Sequence, residues 1–134
     1  MSDAPHVQHV EYDAAAPIME RGQIDMLLMG DESEDETNLL IREIFAIYQT
    51  EAVEKLSELD QICRNRDGEA LRKLVHFIAG SAGNLGMMRL CAFYRGIERA
   101  IDAGVLEDYE ACAKFIPLEF DLGCKHFTRT LDLD

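Results

Sequence analysis

The sequence predicts an all-α fold: an antiparallel up-down four-helix bundle with a short extra N-terminal helix. Three observations predict it. Apolar residues recur with a period near 3.6 through four segments, and no stretch alternates with period two. Polar or glycine-containing connections between those segments are short, which makes consecutive helices antiparallel neighbours. The chain has 134 residues, 48% of them hydrophobic, enough for one domain with one core.

Residues 1–17 are polar, alanine-rich and aperiodic, and end in Pro17; they read as a flexible N-terminal arm. The single domain is expected over 18–134. His6 and His9 fall in the arm and read as tail residues rather than a metal pair. A short helix is predicted near 18–29 on Ile24, Leu27 and Leu28, with Gly30 ending it. The acidic run 31–36 is no EF-hand loop. Glu36 stands where that loop needs glycine, and Arg42 where it needs a bidentate glutamate. Acidic residues suit a helix start instead. The long helix predicted over about 34–65 carries Ile41, Ile44, Phe45, Tyr48, Ala52, Leu56, Leu59, Ile62 and Cys63 on one stripe. Asn65-Arg66-Asp67-Gly68 breaks it.

The next helix, over Leu71 to Gly86, has an unusual exposed face. At 100° per residue from Leu71, the residues Leu74, Val75, Ile78, Ala82 and Leu85 lie within about 60° of one direction, the buried stripe. His76 points away at about 140°, with Arg72, Gly80 and Gly83 within about 40° of it. Glycine inside a helix costs roughly 1 kcal/mol relative to alanine. Two glycines beside one exposed histidine suggest that something large approaches the imidazole. Ser81 falls at the edge of the core, and Gly86 reads as a C-cap. A helix over about 87–103 buries Leu90, Tyr94, Ile97 and Ile101 and stops at Gly104. The last, over about 107–131, buries Tyr109, Cys112, Ile116, Phe120 and Phe127, with a kink expected at Pro117. Phe115, Leu118 and Leu122 lie off its stripe.

Composition excludes several classes. The net charge of −13 repels nucleic acid and anionic membrane surfaces. Cys63, Cys91, Cys112 and Cys124 are dispersed, with no CxxC pair, and read as reduced core residues of a cytoplasmic protein. Cys124 and His126 are two apart and point to different helix faces, so no zinc site is expected. The acidic N-terminus lacks an apolar run, so no signal peptide is expected. No apolar stretch approaches the roughly 18 residues of a membrane span.

The segment His76-Phe77-Ile78-Ala79-Gly80-Ser81-Ala82-Gly83-Asn84-Leu85-Gly86 resembles the signature of histidine-containing phosphotransfer (HPt) domains. His76, Ile78, Gly80, Ser81, Leu85 and Gly86 match it, and the helix order fits over about residues 20–131. One position departs: the lysine usual three residues after the histidine is Ala79. The resemblance implies a phosphoryl carrier with no enzymatic site of its own. It would relay phosphate between receiver-domain aspartates of a hybrid histidine kinase and a response regulator, through phosphohistidine at His76. A neutral imidazole offers the lone pair this needs. The chain has no P-loop, so the partners would supply magnesium and the acidic pocket. No cofactor and no metal are expected, and the protein is expected to be a monomer. Arg72 and Lys73, at i−4 and i−3 from His76, are the expected substitutes for the missing lysine, and Gly80, Ser81 and Gly83 the expected supporting residues. Two other readings stay open. One is a helical adaptor that binds a receiver or kinase without being phosphorylated. The other is the phosphoacceptor module of a chemotaxis-type kinase.

Overall fold

The computed structural model describes residues 4–22 and 34–131, and their regular structure is helical. The helices are α1 (Glu34–Leu56), α2 (Leu59–Arg64), α3 (Gly68–Asn84), α4 (Met88–Asp102) and α5 (Tyr109–Leu131). They build the antiparallel four-helix bundle, with α1 and α2 together forming one of its columns. Most of the short helix expected near 18–29 lies outside the described residues, as does the start of the acidic run.

The predicted long helix is interrupted at Ser57–Glu58. Ser57 N–H still reaches the Val53 carbonyl at 3.0 Å, and its hydroxyl donates to the Glu54 carbonyl at 2.6 Å. Such back-bonding competes with the helical ladder and ends α1 there. The expected stop at 65–68 is present: Arg66 takes a left-handed φ of 52°, and the Asp67 side chain caps α3 by accepting from Ala70 N–H at 3.1 Å. At the other end of α3, Gly86 has φ +80° and Met87 N–H donates to the Ala82 carbonyl at 3.0 Å, a Schellman-type stop. Helix α5 runs through Pro117 without a break in the helix.

The core follows the predicted stripes. Leu71, Val75, Ile78, Ala82, Leu90, Tyr94, Ile97, Ile116 and Phe127 are almost completely buried. Helix α1 meets α5 through aromatic pairs, Phe45 stacked on Phe127 at 4.4 Å and Tyr48 tilted on Phe120 at 5.8 Å. All four cysteines are free, with Cys63, Cys112 and Cys124 buried. Burial pushes the Cys63 thiol up to about 11 and those of Cys112 and Cys124 up to about 12, so they stay protonated at neutral pH.

Two features of the core have no counterpart in the periodicity. Arg89 of α4 and Glu119 of α5 form a buried, two-pronged ion pair at 2.7 and 2.8 Å. The segment expected as a loose arm is packed on the bundle over its described residues. Val7 and Val10 are buried, and the Tyr12 ring lies 5.1 Å from that of Phe93. Main-chain bonds then fix its end: Arg89 N–H donates to the Pro17 carbonyl at 2.9 Å, and Glu20 N–H to that of Gly86 at 2.7 Å. An arm with three apolar residues and these backbone bonds has enough partners to offset the entropy of ordering it.

Candidate functional site

Helix α3 packs against α4 along one side and against α1 and α2 along the other. Its outward ridge carries His76, whose side chain is 59% exposed. Gly80, one turn on, is exposed, and a Cβ placed there would meet nothing within 4 Å. The ridge beside the imidazole therefore has open space above Gly80. Gly83 is different. A Cβ there would touch Cys91 Sγ at 3.5 Å, so Gly83 belongs to the α3–α4 seam as much as to the exposed ridge. Ser81 is half-buried in a groove between α3 and α1, lined also by Ile44, Ile47, Glu51 and Asn84. Ile47 in this groove is 61% exposed.

The imidazole is held from the neighbouring helix. Its Nδ1 lies 3.0 Å from Glu98 Oε1 and 2.8 Å from Arg95 Nη1. Glu98 is buried, and its other oxygen accepts from Arg95 at 3.1 Å. Burial works against a charge on Glu98. The hydrogen bonds from Arg95 and His76, with the positive charge of Arg95, outweigh it and hold the carboxyl below the usual carboxylate range. An ionised Glu98 can only accept and calls for a proton on Nδ1, whereas Arg95 can only donate and calls for a lone pair there. The tautomer that satisfies Glu98 leaves the lone pair on Nε2.

The expected cations are engaged elsewhere. Arg72 donates to Asp102 of α4 at 2.6 and 3.3 Å and lies 3.2 Å from Glu98. The Arg72 guanidinium holds the Asp102 carboxyl below its ordinary value. Lys73 pairs with Glu69 at 3.3 Å on its own helix. Ala79, where the signature has lysine, is 1% exposed.

Sequence reading missed Arg95, Glu98 and Asp102. A signal was available: the three fall at i, i+3 and i+7, a charged stripe within about 60° on α4. Nothing in the sequence alone says that this stripe faces His76. Among the described residues no three of His, Cys, Asp and Glu come together as metal ligands, and no helix is long and apolar enough to cross a membrane.

A family model described as Hpt domain matches residues 43–126, more than half of the chain. No curated protein and no solved structure matches.

Proposed function

The chain belongs to the Hpt domain family, and we propose that it carries a phosphoryl group on Nε2 of His76. Hpt domains are phosphocarrier modules of two-component signalling and engage receiver domains. The observation that supports His76 most is the exposed imidazole with Nδ1 held by the buried Glu98 carboxylate at 3.0 Å.

The reaction follows from that tautomer. The Nε2 lone pair attacks the phosphorus of an acyl phosphate on a receiver aspartate. The N–P bond forms as the P–O bond to the aspartate breaks, and the carboxylate leaves with the electron pair. The ring proton stays on Nδ1. The ring becomes positive and pairs with Glu98, so no proton has to move during transfer. The reverse step delivers the phosphoryl group to a second receiver's aspartate, which makes the chain a relay in the cytoplasm. Positioning supplies most of the catalysis in such a step. The open ridge at Gly80 gives the partner access, and the groove with exposed Ile47 gives it apolar surface to bury.

Incubation with a phosphorylated receiver tests this reading. Wild type should gain acid-labile phosphate, and His76→Gln should gain none while its circular dichroism stays native. A folded His76→Gln variant that still takes up acid-labile phosphate would overturn it. A wild type that binds the receiver but takes no phosphate would be an adaptor.

A further inference from the structure

We propose that Arg95 is the counter-ion of the phosphorylated histidine, docked on Nδ1 before phosphorylation and released from it by phosphorylation. This rests on His76 being the phosphoacceptor.

The starting point is a conflict at one nitrogen. Glu98 Oε1 at 3.0 Å needs a proton on Nδ1, whereas Arg95 Nη1 at 2.8 Å can only donate and needs a lone pair there. One ring nitrogen cannot offer both. Unphosphorylated imidazole can satisfy either partner by exchanging tautomers. Attack through Nε2 ends that choice. The proton is then fixed on Nδ1 of a positive ring, where Glu98 accepts it and Arg95 faces like charge. On the far side of the same small ring, the phosphoryl group brings close to two negative charges. Arg95 loses one partner and gains a stronger one within reach of a side chain that is already 36% exposed at the rim.

The other candidates are poorer. Arg72 would have to leave a two-pronged bond to Asp102 as well as its contact with Glu98. Lys73 would have to leave Glu69. Ala79 offers no charge and is 1% exposed, so a lysine there would have to thread out from a buried position. Among the described residues Arg95 keeps one other bond, to Glu98 on its own helix at 3.1 Å. The cation that the motif lacks on α3 is thus supplied from α4.

A nearby guanidinium favours the doubly charged phosphoryl group and lowers its second ionisation, normally at a pKa of about 6. The full chain is phosphorylated with phosphoramidate, and that ionisation is followed by phosphorus NMR. Arg95→Gln should raise it by about half a unit, the size expected of an exposed ion pair, and Arg95→Lys should restore much of the shift. Arg99→Gln removes the same charge one turn along α4, from a side chain that donates to the Glu11 carbonyl, and should leave the ionisation in place. Transfer to a receiver by Arg95→Gln should be several-fold slower at low salt, with the gap closing as salt rises. A phosphohistidine titration unchanged by Arg95→Gln overturns the proposal and leaves the phosphoacceptor standing. So does a shift produced by Arg72→Gln and not by Arg95→Gln. A wild type that forms no phosphohistidine at His76 overturns both readings.

Discussion

Replacing Glu98 by glutamine keeps the shape of the side chain and removes its charge. The consequences follow from its three neighbours: His76 Nδ1 at 3.0 Å, Arg95 Nη1 at 3.1 Å and Arg72 Nη2 at 3.2 Å. A hydrogen bond to a charged group contributes about 1.5–3 kcal/mol when shielded from water. Glu98 is shielded, but His76 is more than half exposed. Solvent screening on that side leaves about 1–2 kcal/mol for the pair. The ring gains its positive charge only as the N–P bond forms, so the loss appears in the transition state and the product. At 1.36 kcal/mol per decade, Glu98→Gln should slow phosphorylation of His76 by roughly 5- to 30-fold. Quenched-flow transfer from a saturating phosphorylated receiver measures this directly. Stability gives an independent check with a definite sign. The folded carboxyl titrates below its ordinary value, so its stabilising contribution is present above the unfolded value of about 4.3. It is lost as pH falls through the lowered folded value. The stability gap between wild type and Glu98→Gln should therefore be flat near neutrality and close below about pH 4. Transfer within twofold of wild type, with a stability gap that ignores pH, would refute the role assigned to this carboxylate.

Two further substitutions probe access and framework. Gly80→Leu enters open space, so it should raise stability by up to about 1 kcal/mol in urea melts while strongly slowing transfer. Native transfer rates in that variant would show that no partner approaches over Gly80. Gly83 is a poorer probe, because a large side chain there would also push on Cys91. Gly86→Ala combines a left-handed φ of +80° with a Cβ placed 2.0 Å from the Glu20 carbonyl oxygen. It should cost about 2–3 kcal/mol, from the left-handed backbone and the lost Glu20–Gly86 bond, and expose the N-terminal segment to proteolysis. A loss under about 1 kcal/mol would mean that the segment moves aside freely.

The sequence made the helices legible because their signal is local. The α3 stripe of Leu71, Leu74, Val75, Ile78, Ala82 and Leu85 is buried at every position. The interruption at Ser57–Glu58 was hidden by the same signal. Leu56 and Leu59 stand three apart, so the apolar stripe steps across the break without a missed beat. The packed N-terminal segment was illegible for another reason. Its buried Val7 and Val10 and half-buried Tyr12 are too few and too unevenly spaced to show a period, and its main-chain bonds to Gly86 and Arg89 carry no side-chain pattern. The exposed His76 with open Gly80 was readable from helical angle alone. Its partners were not, because Arg95 and Glu98 reach it only through the register of α4 against α3, which periodicity does not set.

That register has its own support. The site depends on Glu98 lying within hydrogen-bond reach of His76, and each residue of slip along a helix moves a side chain by about 1.5 Å. Apolar packing alone tolerates such adjustments, since Leu, Ile and Phe present no directional bonds. Directional bonds tie α4 at several points along its length. Arg89 is held by Glu119 at the start of the helix, and the Tyr94 hydroxyl donates to the Ile116 carbonyl at 2.7 Å near its middle. Breaking the buried ion pair from either side would cost about 3–5 kcal/mol, because it leaves one charge uncompensated. The N-terminal segment closes on the far face of α4, where Glu11 would meet any Cβ added at Gly96 at 2.7 Å. Helix α4 is thereby fixed from α5 and from the N-terminal segment, on faces other than the one that meets α3. The face toward α3 is left to carry Arg95, Glu98 and Asp102, the charges that hold the imidazole and Arg72 in place.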